Sequence, residues 1–379
     1  MKRNFMLMAS LILAGTMSLS AADINLAAGA DIRAAVETAG EGDVIILADG
    51  TYEDATGGEN AINLTKSITI KAADPGKASL VKYSFMVPAN GNIADLEFDG
   101  INASHDLTMD SRYFLQVNTA TSAVTNLTIK NCVISDFSRG VVRATQDNAT
   151  KITNLLIENC IFEGNSTGNA GYANINTQKC TSESIIIRNC TFYHSPAALF
   201  RYEATNNLNL LIENCTVLNL GSGSGRKMIE IGSGTHSDSP LSVKDCIFSG
   251  SFDTTVPDGT SHSIDLYNLG TVENCILEGY STVLTNRSGN PESVGSVTSF
   301  DFESFTIATD PATISGIGDP RWILNGQVNG ISVPDAEKVV KSVEYYDILG
   351  KQITGEVKGL VIEKVVYEDG SIATAKVLK

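Results

Sequence analysis

Hydrophobic and polar residues in the middle of the chain follow a short repeated pattern. It runs β-branched residue, variable residue, Asn or Asp, Cys, variable residue, apolar residue; residues 155–165, LLIENCIFEGN, are one copy. Aligned on the Asn-Cys or Asp-Cys pair, six copies follow at intervals of 28, 30, 25, 31 and 29 residues. Such a period predicts a solenoid, in which each repeat stacks on the next. The flanking residues alternate with period two, which predicts strands rather than helices.

The repeated Asn predicts how each coil turns. In strict alternation the isoleucine and the Asn would share a face, whereas the Cys and the following apolar residue lie out of phase with them. A bend at the Asn resolves the mismatch, because Asn tolerates the left-handed backbone conformation better than most residues. Stacked coils place these side chains about 4.8 Å apart, where amides can form an asparagine ladder. The fold expected is all-β: a parallel β-helix, right-handed by the usual handedness of parallel crossovers.

The same register accounts for most of the cysteines. Six of the seven occupy one position of the repeat, and Cys180 lies outside it. In-register stacking sets their Cβ atoms roughly 5 Å apart, beyond the ~3.5–4.5 Å that a disulfide prefers. We expect a buried stack of reduced thiols, with disulfide pairing of some cysteines as the alternative. No CxxC or histidine-rich spacing indicates a metal site.

The N-terminal residues differ from the repeats. A basic start, an apolar stretch over residues 5–17 and small residues up to Ala22 predict a signal peptide over residues 1–22. The apolar stretch is short for a membrane anchor, and no later stretch reaches spanning length. Asp31 is placed to cap a short helix over residues 32–38, so we expect a helical cap at the start of a β-helix that covers residues 23–332.

The C-terminal residues, 333–379, form a separate predicted unit. They contain three strand-like runs separated by glycine-containing turns. We expect a small β-sandwich that acts as a sorting or capping module.

Two stretches carry a resemblance to known families. AVETAGEGDVIILADGTYED from Ala35 and SITIKAADPGKASL from Ser67 resemble the start of chondroitinase B and alginate lyases, and of pectate-lyase-like proteins generally. The Asn corner is similar to the asparagine ladder of pectate lyases, and GDPRW from Gly318 resembles the closing motif of secreted β-helix proteins encoded beside polysaccharide-utilisation genes. The resemblance covers residues 25–325 and implies the fold more specifically than any activity.

The tail resembles the C-terminal sorting domain of type IX secretion substrates. That family has Gly-x-Tyr where this chain has Gly359-Leu360-Val361. The resemblance implies a protein secreted by, or held at the surface of, a Gram-negative bacterium.

The formal net charge of −16 limits the partners. Such a surface repels nucleic acid and other polyanions, so an acidic polysaccharide would need a local basic patch or a bridging divalent cation. We expect polysaccharide as the partner, no nucleic acid, no membrane span and a monomer.

Candidate site residues lie on the strands that follow the inserted loops, because variable loops on one side of a solenoid often rim its binding face. The inward residues of these strands align, and the residues after them form an outward column: Arg143, Asn176, Arg201, Glu230 and Asp265. Glu203 and Lys227 lie close to the column. Tyr172 and Tyr267 offer rings for sugar stacking.

Several interpretations of the column stay open. The first is a protein that binds or processes extracellular polysaccharide, with Arg143, Asn176, Tyr172 and Tyr267 as substrate-binding residues. If it is a Ca²⁺-dependent lyase of uronic-acid glycans, Lys227 or Arg201 is the base and the metal ligands are Glu203, Glu230 and Asp265. In a glycoside hydrolase, Glu230 and Asp265 would be the acid and base, about 5 Å apart.

The remaining alternative is a non-catalytic, adhesin-like surface protein with a solvated charged face. The Ser-x-Lys-Ser and Arg-His-Gly segments of the lyases are absent. The resemblance therefore transfers no catalytic residue to this chain.

Overall fold

The computed structural model describes most of the chain: residues 21–117, 121–145, 149–166, 173–220, 227–232, 240–249, 263–267, 269–278, 282–284, 291–325, 340–346, 352–353, 360–367 and 372–378. Two compact units lie on either side of residue 326. The expected boundary at residue 332 and nearly all of the expected signal peptide lie outside the described residues, so both stay predictions. Within the described ranges, no helix is both long and apolar enough to cross a membrane.

The first unit is a parallel β-solenoid in which each coil contributes a strand to each of three long sheets. The first sheet precedes the Asn corner and pairs ten described strands: β1 (Asp23–Leu26), β2 (Asp43–Leu47), β5 (Ile68–Ala72), β8 (Asn92–Asp99), β11 (Ala123–Lys130), β14 (Lys151–Glu158), β17 (Ser184–Arg188), β20 (Asn209–Glu213), β23 (Leu241–Lys244) and β26 (Thr271–Glu273). The expected all-β parallel solenoid is confirmed, and its right-handedness stays a prediction.

The second sheet follows the Asn corner and the third follows the inserted loops. The second consists of β3 (Gly50–Glu53), β6 (Ala78–Val81), β9 (Ile101–Ser104), β12 (Val133–Ser135), β15 (Ile161–Glu163), β18 (Thr191–Ser195), β21 (Thr216–Leu220), β24 (Ile247–Ser249) and β27 (Ile276–Glu278). The third consists of β4 (Ile62–Asn63), β7 (Phe85–Met86), β10 (Tyr113–Gln116), β13 (Gly140–Arg143), β16 (Ala173–Asn176), β19 (Ala198–Tyr202), β22 (Ile229–Ile231), β25 (Ser263–Asp265) and β28 (Thr282–Leu284).

The corner between the first and second sheets has left-handed backbone at every aligned Asn or Asp, with φ between 49° and 55°. Asn159 donates from Nδ2 to Oδ1 of Asn131 at 3.2 Å, and Asn189 donates to Asn159 at 3.1 Å. Asn214 instead donates to the carbonyl of Gly316 at 3.1 Å. These amides are exposed or half-buried, so they join neighbouring coils from the outside of the core.

A second left-handed corner lies at the ends of second-sheet strands, either directly after the strand or one residue before its end, and the sequence pattern did not predict it. Its residues are Asp136, Gly164, His194 and Asn219, with φ of 62°, 63°, 54° and 52°. These four residues are of four different types, so no residue recurs in the sequence at this position of the repeat.

The cysteines are reduced and buried, as expected. All seven are free, Cys180 included. The backbone N–H of Cys160 donates to Sγ of Cys190 at 3.4 Å, which shows the stacking of one coil on the next. Burial raises the pKa of the Cys160 and Cys190 thiols, so both stay protonated and serve as small apolar core residues.

The expected N-terminal helix is present as α1 (Ile32–Thr38). Asp31 accepts a hydrogen bond from the backbone N–H of Arg33 at 2.9 Å, and the helix buries Ile32, Ala35 and Val36. These side chains join the main core cluster.

Residues 291–325 do not continue the coils, although the sequence suggested that the β-helix runs through them. They form a separate three-stranded sheet of β29 (Ser296–Asp301), β30 (Thr306–Asp310) and β31 (Ile323–Leu324). Trp322 and Ile307 of this segment pack with Leu218 and Ile247, which point outward from the second sheet, in a second hydrophobic cluster. The segment therefore folds back over the outside of the solenoid.

The GDPRW motif anchors this fold-back. Asp319 is 1% exposed and accepts hydrogen bonds from Arg321 Nε at 3.0 and 3.1 Å. The Arg321 guanidinium also donates to the carbonyls of Asn159, Cys160 and Asn189 at 2.8–3.1 Å. One side chain thus joins two coils at their Asn corners.

The second unit contains one described sheet, antiparallel and four-stranded. Its strands are β32 (Val340–Tyr346), β33 (Gln352–Ile353), β34 (Leu360–Tyr367) and β35 (Ile372–Leu378). A sandwich, with its second layer, stays a prediction.

One histidine makes stability depend on pH. His105 is 8% exposed; its Nδ1 accepts from the Asp106 N–H at 2.8 Å, and its buried Nε2 has no partner among the described residues. Burial lowers the pKa of His105 below its usual 6.5. The unfolded chain therefore binds the proton more tightly, and stability that is complete above pH 6.5 is lost as the pH falls through the folded-state pKa.

We expect the free energy of unfolding of the wild type to fall between pH 7 and pH 5 by more than that of His105→Gln. Denaturant titrations at several pH values measure the difference. Parallel pH profiles for the two proteins would contradict the assignment.

Candidate functional site

The third sheet places the predicted column residues side by side. Its pairing aligns Arg143 with Asn176, Asn176 with Arg201, Arg201 with Glu230 and Glu230 with Asp265. The register predicted from the inward residues is therefore the register of the structure.

Arg201 lies at the centre of the column between two carboxylates. Its side chain is 10% exposed and forms an ion pair through Nη2 with Glu203. Its Nε lies 3.0 Å from Oε2 of Glu230, but the geometry makes no hydrogen bond. Both atoms are buried and have no hydrogen-bond partner in the part of the chain that the structure describes. Gln178 donates to the second oxygen of Glu203 at 2.6 Å.

The next coil pairs Lys227 with Asp265. Asp265 is 5% exposed; one of its oxygens contacts Lys227 and the other accepts the backbone N–H of Tyr267 at 2.8 Å. That bond holds Tyr267 at φ 51°, an uncommon backbone for an aromatic residue, and the side chain is 44% exposed. Strain of this kind often accompanies a functional position.

Arg143 closes the other end of the column. Its guanidinium carbon lies 5.3 Å from the centre of the Tyr113 ring, and Nε donates to Thr145 at 3.3 Å. Among the described residues it has no carboxylate partner, in contrast to Arg201 and Lys227.

Asn176 is the most unusual member of the column. It is fully buried, and among the described residues neither its amide oxygen nor its amide nitrogen has a hydrogen-bond partner. Asn174, on the same face of β16, is 1% exposed and leaves its amide oxygen unpartnered as well, while its nitrogen donates to Ser195 at 3.1 Å. Native proteins rarely leave such groups unsatisfied, so the site calls for a polar guest, either water or a ligand hydroxyl.

The candidate catalytic and metal-binding residues contact one another. Lys227 contacts Asp265, and Arg201 lies between Glu203 and Glu230, so each candidate base already has a carboxylate partner. Glu203, Glu230 and Asp265 each face a basic side chain, and no group of three His, Cys, Asp or Glu residues in the described ranges could hold a metal ion. The Ca²⁺ site expected of these three carboxylates therefore stays a prediction.

The hydrolase interpretation of Glu230 and Asp265 also stays a prediction. Glu230 and Asp265 are register neighbours as expected, but both oxygens of Asp265 are occupied by Lys227 and the Tyr267 N–H. Tyr172 lies outside the described residues.

Sequence reasoning missed Asn174 and Gln178. Each lies two residues from Asn176, so the period-two alternation of a strand would have placed both side chains on the same face as Asn176. Tyr113 was missed because it faces Arg143 from the preceding coil.

Residues 50–195 match a family described as "Domain of unknown function (DUF4957)". The chain is also similar to two solved structures of the PL6 family alginate lyase AlyGC. An arginine-to-alanine mutant gives 15% identity over 71% of this chain and 38% of that one, with a TM-score of 0.39; the other structure gives 13% over 78% and 56%, with a TM-score of 0.23. The chain thus covers less than two thirds of either lyase, and likeness at this level carries no argument about activity. No curated protein matches the chain.

Proposed function

We propose that this protein binds polysaccharide along the outer face of its third sheet, in the column from Arg143 to Asp265. The observation that carries the proposal is the buried, unpartnered amide of Asn176, next to the unpartnered oxygen of Asn174. An amide both donates and accepts, which suits sugar hydroxyls that do the same.

The dimensions of the column suit an extended sugar chain. Neighbouring strands lie about 4.8 Å apart, so Arg143 and Asp265 are separated by about 19 Å along the solenoid axis. The exposed ring of Tyr267 lies at one end and the Arg143–Tyr113 pair at the other. A chain laid along the axis would meet the exposed aromatic ring at one end and the guanidinium at the other. The amides of Asn174 and Asn176 are buried, so a sugar hydroxyl would reach them only by displacing the groups that cover them.

Binding is favoured over cleavage because the candidate acids and bases already hold one another. The proposal places the protein outside the cell or at its surface. That location rests on the signal-peptide pattern of residues 1–22 and on the sorting-domain resemblance of residues 333–379.

Replacing Asn176 by leucine separates a binding role from a structural one. Leucine has a similar volume and carries no polar atoms, so the free energy of unfolding should rise by about 1–3 kcal/mol as two unsatisfied groups disappear. Binding to polysaccharide should fall at least tenfold, roughly what one lost hydrogen bond to a ligand costs. Denaturant titration and a glycan array of neutral and acidic polysaccharides measure the two effects.

Asn154→Leu is the matched control. Asn154 is an exposed asparagine on β14 that bonds to Asn126 at 2.9 Å, and it lies on the first sheet rather than on the third, which carries the column. Its replacement should leave binding unchanged. Wild-type protein that binds no glycan, or Asn176→Leu protein that binds as well as wild type, would overturn the proposal.

A further inference from the structure

A column of alternating charges runs down the outer face of the first sheet. The column consists of one residue from each of eight strands, either the last residue of the strand or, for Lys71, the residue before it. Strand pairing aligns these residues in one row: Lys71, Asp99, Lys130, Glu158, Arg188, Glu213, Lys244 and Glu273. Neighbours form ion pairs, such as Arg188 with Glu158 at 2.7 Å and Lys244 with Glu213 at 3.1 Å. All eight signs alternate without an interruption.

Beside the charges lies a column with an apolar centre. Its residues point outward two positions earlier on the same strands: Thr69, Glu97, Thr128, Leu156, Ile186, Leu211, Ser242 and Thr271. Leu156, Ile186 and Leu211 are half-buried and lie on three consecutive strands, β14, β17 and β20. An aliphatic centre next to a charged row has the layout of a protein interface, with an apolar core and a polar rim.

We propose that this face binds a second copy of the chain, with the two solenoid axes antiparallel. The column has eight charges of alternating sign. When a second copy faces it in the antiparallel direction, the order of its charges is reversed, so each charge lies opposite a charge of the other sign. About a two-fold axis between β14 and β17, Glu158 faces the Arg188 position of the other copy, Lys130 faces Glu213, Asp99 faces Lys244 and Lys71 faces Glu273. The same axis sets Leu156 against Ile186.

The opposite orientation is disfavoured. Two charge columns that faced each other with parallel axes would place like charges together, which costs several kcal/mol. Ammonium and guanidinium groups carry three and five N–H donors, so they can keep their neighbours within the chain and still contact a partner. The arrangement is isologous, as expected of a two-fold dimer.

The size of the face sets the expected strength. Eight strands span about 34 Å and a five-residue strand about 16 Å, so each copy contributes roughly 500 Å² of flat area. That is below the roughly 800 Å² per partner of a standard stable interface. We therefore infer a weak dimer that forms at micromolar concentration, in place of the monomer expected from the sequence.

Sedimentation velocity of the full chain over the micromolar range tests the proposal. The wild type should shift from monomer to dimer as concentration rises, and Ile186→Lys, which puts a charge into the apolar centre, should weaken association by roughly a hundredfold. Val133→Lys is the matched control, because Val133 is a half-buried, outward residue of the second sheet. It should associate as the wild type does.

A charge swap tests the antiparallel arrangement. Arg188→Glu should weaken the dimer, and the double variant Glu158→Arg with Arg188→Glu should restore much of it, because the facing pair is opposite in sign again. A wild type that is monomeric at every concentration would overturn the proposal. So would a dimer that Ile186→Lys leaves intact, or a charge swap that restores nothing.

Discussion

Replacing Arg321 by alanine is expected to lower the free energy of unfolding by about 3–5 kcal/mol, the largest single-residue effect we foresee. The change strips a 1%-exposed carboxylate, Asp319, of its cation. It also removes the donors that the carbonyls of Asn159, Cys160 and Asn189 use at the corners of two coils. Because those carbonyls are 132–162 residues away in sequence, the segment that carries Trp322 should detach from the outer face of the solenoid.

Denaturant titration with tryptophan fluorescence as the probe measures this effect, since Trp322 is the single tryptophan of the chain. Arg321→Lys keeps the charge but cannot reach three carbonyls and a carboxylate at once, so it should recover only part of the loss. Arg188→Ala, which removes a half-exposed surface partner of Glu158, is the control and should change little at low protein concentration. Equal losses in Arg321→Ala and Arg188→Ala would show that GDPRW is not an anchor.

Replacing Arg201 by alanine is expected to cost about 2–4 kcal/mol and to abolish glycan binding. Glu203 and Glu230 would then lie next to each other, 26% and 22% exposed, without the cation between them. Their partial exposure keeps the cost below that of a fully buried pair. Denaturant titration and the same glycan array report the two losses.

A second variant separates the electrostatic effect from the binding effect. Arg201→Met together with Glu203→Gln and Glu230→Gln removes the cation and both of its carboxylate partners as a unit, and such a replacement often restores stability. We expect most of the lost stability to return while binding stays weak. If binding returned with stability, Arg201 would be a scaffold residue and the ligand would lie elsewhere.

The repeat determined the solenoid because a parallel stack keeps each residue at a constant offset from the corner. Ile175 and Phe200 are both inward and paired in register, so the residues after them, Asn176 and Arg201, had to be outward neighbours. The same logic placed six cysteines in one buried row. Periodicity of this kind is local, and local patterns are what a sequence displays directly.

The alternating charges of the first sheet are also present in the sequence, at the repeat position between the β-branched residue and the Asn. Their alternation matters only once the strands are paired, because residues of opposite charge about 29 positions apart become neighbours only when the coils stack. The second corner had no signature at all, since Asp136, Gly164, His194 and Asn219 share a backbone conformation rather than a side chain.

Tertiary structure alone decided the two features on which function and stability depend. Whether Glu230 and Asp265 are free to hold a metal or lie against Arg201 and Lys227 depends on how neighbouring side chains pack in the folded coils, which the repeat does not display. The return of Arg321 to the corners of β14 and β17 depends on contacts more than 130 residues apart in sequence. The repeat set the coil by short-range alternation, whereas these contacts formed only because the folded coils brought distant groups within reach of one another.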